Sequence, residues 1–338
     1  MKAEIKPRIE LEGRTRLETV IPLSTPYLVF LDPSDICNFH CRFCPTGDWT
    51  KIRTIRKPQL MQWDLYKKII DDLCKMPEPI KTLRLYKDGE PLLNPNFPAM
   101  VRYAKESGRF GQVDTTTNGS LLTPWLNLKL VQSGLDKIFI SVNGMSSEAY
   151  YHFTGYKLKF GKFVKAIRHL YRHKGQLLIY VKIVGDNMTQ AERDRFFEVF
   201  GDISDRVFIE HTAPCWPGYE VEGVDSDIGI YGNRVKEVQV CPYVFYSLSI
   251  NSDGTVSLCF LDWQRKLIIG DLKKQKFKRI WEGAKLHKFR MMNLEMDRKK
   301  HRICGECGQL SHCMPDDIDC YSEELIQCLN SRTRNQKR

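Results

Sequence analysis

No stretch of the chain stays apolar for anything near the ~18 residues that a membrane-spanning helix requires. The opening Met1-Lys2-Ala3-Glu4-Ile5-Lys6-Pro7 is too charged for a secretory signal. A cytoplasmic protein with no membrane partner is therefore expected. Charge of one sign does not dominate: 52 Lys and Arg stand against 41 Asp and Glu. The surplus of +11 is spread along the chain rather than interleaved with stacking aromatics, so nucleic acid is not the expected partner. The densest basic run, Arg298-Lys299-Lys300-His301-Arg302, reads as a solvated helix end or loop. Composition gives no sign of disorder except at the ends, because 42% hydrophobic and 28% charged residues is ordinary globular usage.

What the chain does have is twelve cysteines. In a reducing compartment these read as metal or redox sites before disulfides. Cys37, Cys41 and Cys44 share one loop at CxxxCxxC spacing. Three thiolates can hold an iron–sulfur core and leave its fourth corner open, the mark of a reactive rather than a structural site. A structural zinc with a distant fourth ligand is the competing assignment on spacing alone.

The apolar run 27–31 predicts a buried strand that delivers the chain into this loop. Further strands are predicted over 80–86, 112–116, 137–142, 177–184 and 206–211, separated by helical patterns such as 63–75, 97–106, 124–132 and 190–200. Cys74 falls inside the first of these helices and reads as a small residue beside the core. Six strands alternating with helices predict an α/β fold, a partial six-stranded (β/α)6 TIM-like barrel. Residues 1–26 form an N-terminal arm, 27–212 the barrel, 213–240 a linker and 241–330 a second domain. The second domain is expected to be a β-hairpin plus helix that carries an auxiliary cluster. Strands over 245–250 and 255–260 flank Asn251-Ser252-Asp253-Gly254, whose Asp-Gly pair suits a tight turn. One helix is expected over 277–292.

The cysteine loop after the first strand, with Phe43 as an apolar shield before its last thiol, resembles that of the radical S-adenosylmethionine (SAM) superfamily. Three later loops resemble the same family. Gly89-Glu90-Pro91 follows the second strand with Asp88 where a second glycine is common, Thr117-Asn118-Gly119 ends the third, and Ser141-Val142-Asn143-Gly144 ends the fourth. The resemblance covers 27 to about 211. It implies a [4Fe-4S] cluster on Cys37, Cys41 and Cys44 whose open corner is chelated by SAM. It also implies cofactor contacts from Gly89, Glu90, Asn118, Ser141 and Asn143. Glu90 or its loop backbone would accept from the SAM ammonium group.

Cys241, Gly254-x4-Cys259 and Cys304-x2-Cys307 resemble the SPASM and shorter twitch domains of that superfamily. A second, auxiliary [4Fe-4S] cluster on Cys241, Cys259, Cys304 and Cys307 is expected. Two further arrangements stay open: a second auxiliary cluster that recruits Cys313, Cys320, Cys328 and Cys215, and a structural zinc ribbon on the first four.

The function expected is a radical SAM oxidoreductase of a small polar substrate, sugar- or aminocyclitol-like, that oxidises an alcohol to a ketone. An electron donor such as flavodoxin or ferredoxin is its expected partner. Lys182, Glu210 and His211 stand at or near strand ends, where they could deprotonate a substrate hydroxyl. Cys215 follows the sixth strand as a thiol hydrogen donor, a cluster ligand or a plain loop cysteine. The alternatives are an epimerase that uses a cysteine hydrogen donor, a SPASM-type peptide maturase, and a zinc-stapled binding protein without catalysis.

Overall fold

A computed structural model describes residues 1–10, 13–186, 188–221 and 223–336. Its strands are β1 (Glu4–Ile5), β2 (Leu28–Leu31), β3 (Ile80–Arg84), β4 (Phe110–Thr117), β5 (Lys137–Val142), β6 (Leu178–Val184), β7 (Arg206–Glu210), β8 (Ser247–Ile250), β9 (Thr255–Ser257) and β10 (Ile268–Asp271). They form one sheet in the order β1-β7-β6-β5-β4-β3-β2-β8-β9-β10. Strands β2 to β7 are all parallel, as βαβ crossovers require. The expected partial barrel is therefore present, wider than six strands at both edges.

Two differences from the sequence expectation matter for the site. The N-terminal arm is not merely laid over the barrel: Glu4 and Ile5 pair in parallel with Arg206 and Val207 of β7. Beyond β1, Arg8 donates to the Tyr86 hydroxyl, stacks 4.4 Å over the Phe139 ring and lines the inner cavity. At the other edge, β8 pairs in parallel with β2 over all four of its residues. The sheet thus runs unbroken from the barrel into the expected second domain. The hairpin itself is shorter than expected, because Tyr243–Tyr246 is a helical turn and β9 stops at Ser257.

Strand faces divide by alternation. On β6, Ile179, Val181 and Ile183 are buried in the core, whereas Lys182 and Val184 line the inner cavity. The helix Phe160–Arg172 covers the outer face with Phe163, Ile167 and Leu170, each stabilising by roughly 1.5–3 kcal/mol through burial. Start signals are met locally: Thr189 and Glu192 form a capping box at Gln190–Phe200, and Thr123 caps Pro124–Gln132. The helix expected over 277–292 breaks into Phe277–Trp281 and Ala284–Leu294 because Gly283 takes extended angles between them. No helix among the described residues is long and apolar enough to cross a membrane.

Candidate active site

The cysteine loop leaves β2 at the carboxyl end of the sheet, where parallel-sheet sites are built. Its backbone closes on itself, with Cys44 N donating to Cys41 O at 3.1 Å and Gly47 N to Cys44 O at 2.9 Å. It is tied outward by His40 N donating to Thr154 O at 2.7 Å. Phe39 packs against Tyr150 and Tyr156 and anchors the base. The loop after β3 lies hard against it: Glu90 N donates to Ile36 O at 2.9 Å. A Cβ on Gly89 would stand 2.4 Å from the carbonyl oxygens of both Ser34 and Ile36, so only glycine allows this approach.

Every residue assigned from the sequence to the first cluster, SAM or substrate lines one cavity of about 400 Å³. The three loop thiols meet there with Gly89, Glu90, Asn118, Ser141, Asn143, Lys182, Glu210, His211 and Cys215. Burial, with Glu90 next, pushes the Cys37 thiol up to about 12, and burial holds Cys41 and Cys44 above the ordinary thiol value too. A metal core bound there must displace those protons. Among the described residues no three His, Cys, Asp or Glu side chains converge at the separation one ion demands. Three thiols on one loop are the donor set an iron–sulfur core takes with one corner left open.

Glu90 takes a more internal role than a direct cofactor contact by its side chain. Its carboxylate accepts from Leu92 N at 3.0 Å, the Thr117 hydroxyl at 2.6 Å and Asn118 N at 2.7 Å. It braces the β3 loop onto the end of β4. Burial raises it to about 7 against the pull of those three donors. The Asn118 amide donates to Asn38 Oδ1 at 2.9 Å and reaches within 3.9 Å of the Cys37 sulfur. Asn143 Nδ2 points back to Ser141 O at 3.4 Å.

Asp88, the departure from the family glycine, lines the cavity but spends its carboxylate on an ion-pair network. It is buried between Lys87 at 2.9 Å, Arg265 at 3.1 Å and Arg56 at 3.2 Å. Arg265 comes from the segment after Cys259 and also meets Asp35 at 3.3 Å and Asp32 at 4.0 Å. Burial alone would push Asp88 up; Lys87, Arg265 and Arg56 together hold it below the usual carboxylate range. Asp32 goes the other way, pushed well up by burial with Asp88 and Asp35 adding to it. The network clamps the auxiliary segment onto both motif loops. Arg265→Met is expected to destabilise the protein by about 3–5 kcal/mol, because buried carboxylates lose their counterion. Adding Asp88→Asn should recover part of the loss in anaerobic thermal unfolding; strictly additive losses would refute the clamp.

Lys182 on β6 pairs tightly with Glu210 Oε2 at the end of β7. Glu210 is 2% exposed, and its Oε1 has no hydrogen-bond partner among the described residues. His211 Nδ1 lies 2.7 Å from Asp186, nearer the surface. The cavity wall also contains residues that sequence reasoning missed. Arg84 and Tyr86 share the inward phase of β3 and its following loop, which alternation could have found. Phe260 stacks 4.6 Å from Phe30 and brings the auxiliary segment into the wall. Arg8 carried no local signal.

Cys241, Cys259, Cys304 and Cys307 form a separate group off the cavity. Burial pushes Cys241 and Cys304 up to about 12 and Cys307 to about 11. Each of Cys241 and Cys259 is raised further by Cys304 and Cys307, which brings the expected auxiliary ligands to one place. Cys320 and Cys328 are exposed on the tail, whereas Cys215 and Cys313 are buried together.

An α/β sheet with an open-cornered thiol loop at its carboxyl end and a second thiol set behind it defines an iron–sulfur enzyme. Residues 31–198 match the radical SAM superfamily and 241–308 match the SPASM iron–sulfur cluster-binding domain. The chain belongs to the radical SAM superfamily and binds a [4Fe-4S] cluster with SAM and auxiliary iron–sulfur, which overturns the zinc-stapled alternative. It is 25% identical to a tungsten-containing aldehyde ferredoxin oxidoreductase cofactor-modifying protein of Pyrococcus furiosus, over 90% of this chain and 95% of the relative. It is 22% identical to the S-adenosyl-L-methionine-dependent 2-deoxy-scyllo-inosamine dehydrogenase of Niallia circulans, over 84% and 93%. The crystal structure of BtrN in complex with AdoMet and 2-DOIA shares its fold with a TM-score of 0.56 at 19% identity, covering 87% of this chain and 97% of that one.

Proposed function

We propose that the chain oxidises an alcohol of a small polar substrate, sugar- or aminocyclitol-like, to a ketone. The observation that carries this is Oε1 of Glu210, which has no hydrogen-bond partner among the described residues and belongs to a buried side chain of the same cavity as the three loop thiols. The cluster and SAM, held by Cys37, Cys41 and Cys44 with the loops at Gly89, Asn118 and Ser141, supply when bound a 5'-deoxyadenosyl radical that abstracts a carbon-bound hydrogen. The chain's own part is the proton. Lys182 occupies Oε2 and orients the carboxylate, so that Oε1 accepts from a substrate hydroxyl. A cavity of about 400 Å³ also suits a small molecule. The name of the Niallia circulans relative supports the same substrate class.

Cys241, Cys259, Cys304 and Cys307 would hold one auxiliary [4Fe-4S] cluster, and a flavodoxin or ferredoxin would serve as electron donor. Epimerisation is the second reading, favoured by the Cys215 thiol in the same cavity wall. The test reduces reconstituted protein with SAM and a panel of aminocyclitols and sugars. Formation of 5'-deoxyadenosine with a product captured by a ketone-trapping reagent is the expected result. 5'-Deoxyadenosine with no trapped carbonyl and an inverted hydroxyl would instead mean epimerisation. Iron should come to about eight per chain, and about twelve would mean a further auxiliary cluster.

A further inference from the structure

Cys215 and Cys313 lie 98 residues apart in the chain, yet their sulfurs are 3.1 Å apart. Cys215 follows β7 on the segment that leaves the sheet, and Cys313 ends the short helix Gln309–His312. Each position is fixed by backbone, with Cys215 N donating to Ala213 O at 2.8 Å and Cys313 N to Gln309 O at 3.1 Å. The two thiols are 8% and 3% exposed and sit in a small apolar group with Ala213 and Ile230. Both line the cavity that holds Glu210. Behind them, Cys307 approaches the Cys215 carbonyl at 3.8 Å, so the pair stands between the substrate cavity and the second thiol group.

A disulfide needs its sulfurs at about 2.05 Å, and Cβ atoms about 3.5–4.5 Å apart. Two thiols already at 3.1 Å need a shift of only about 1 Å to reach that bond length. We propose that Cys215 and Cys313 are a redox-active dithiol that closes reversibly to a disulfide in the cavity wall. The oxidant is a low-molecular-weight disulfide that enters through the cavity. The sulfur of Cys215 attacks one sulfur of that molecule and expels the other as a thiol. The sulfur of Cys313 then attacks Cys215 and expels the second. The cysteines lose two electrons and two protons, and the small disulfide becomes two thiols. In the dithiol state the cavity presents S–H hydrogens beside the substrate, and in the disulfide state it presents none. That consequence rests on the second reading above, but the bond itself does not.

The test equilibrates anaerobic holoprotein in 2-hydroxyethyl disulfide and 2-mercaptoethanol mixtures, then quenches with N-ethylmaleimide and reads the digest by mass spectrometry. A peptide pair linked through Cys215 and Cys313, two hydrogens lighter than its free halves, is expected in the oxidising buffers. Its ratio to the alkylated pair should change about tenfold per ~30 mV, as a two-electron couple requires, with iron per chain constant. Cys313→Ser should retain its iron and trap Cys215 as the mixed disulfide. The proposal falls if both cysteines alkylate fully at every ratio, or if linkage appears only as iron is lost. It also falls if Cys313→Ser lowers iron per chain, because the pair would then be cluster ligands. None of these readouts depends on alcohol oxidation.

Discussion

Cys41→Ala protein, purified anaerobically and reconstituted, is expected to form no 5'-deoxyadenosine with SAM and reductant and to hold about half the native iron. The loop should keep its shape, because its hydrogen bonds run through backbone: Cys41 contributes a carbonyl to Cys44 N, and neighbouring His40 and Arg42 donate to Thr154 and Phe153. Alanine preserves all of these and removes one sulfur from a set of three. Two thiols cannot hold a four-iron core with a single open corner, whereas the group at Cys241, Cys259, Cys304 and Cys307 is untouched. Half the iron should therefore remain, with a thermal transition close to that of the native protein. Cys74→Ala is the control. Its residue caps the helix Trp63–Leu73 and lines no part of the cavity, so iron and 5'-deoxyadenosine should both be unchanged. Persistent 5'-deoxyadenosine in Cys41→Ala, or loss of all the iron, would show that the two thiol groups are wrongly divided.

The first thiol group was legible because its three ligands fall within eight residues on one loop, and because strand polarity sends the three later motif loops to the same end of the sheet. Local spacing carries that information. It does not carry what a residue meets across the molecule. Asp88 reads as a substitution at a turn, and only the folded chain brings it to Arg265, 177 residues away. Arg265 also takes a left-handed backbone angle, φ 56°, that no pattern in its surroundings announces. The hairpin around Asp253-Gly254 was legible from turn chemistry, but its docking on β2 was not, because the alternation of an apolar strand says nothing about its neighbour. Cys313 was legible only in part. Its spacing from Cys307 suggested another cluster ligand, whereas its closeness to Cys215, 98 residues away, is visible only in the folded chain. Glu90 was half legible: the Glu-Pro turn was evident, whereas the use of its carboxylate depends on where β4 ends.

Glu210→Gln should lower kcat for alcohol oxidation by about 10²–10⁴-fold, the usual worth of a positioned general base. The change keeps the side chain's shape and volume in a position that is 2% exposed, so packing in the barrel should survive. It replaces the buried carboxylate oxygen that has no hydrogen-bond partner among the described residues: with the amide oxygen turned to Lys182, an amide nitrogen stands at that place and cannot accept a substrate proton. Lys182 would still have an acceptor in the amide oxygen, which limits the structural cost. The melting temperature and KM should therefore move little while kcat falls. Glu210→Asp should recover part of the rate, since it restores the carboxylate at a shorter reach. His211→Gln separates the two candidate bases. His211 is held by Asp186 at 2.7 Å nearer the surface, and its loss should cost far less than that of Glu210. The measurement is kcat and KM with an aminocyclitol or sugar that the native enzyme oxidises, together with 5'-deoxyadenosine per product. A full loss of oxidation in His211→Gln with an active Glu210→Gln would move the base to the His211–Asp186 pair.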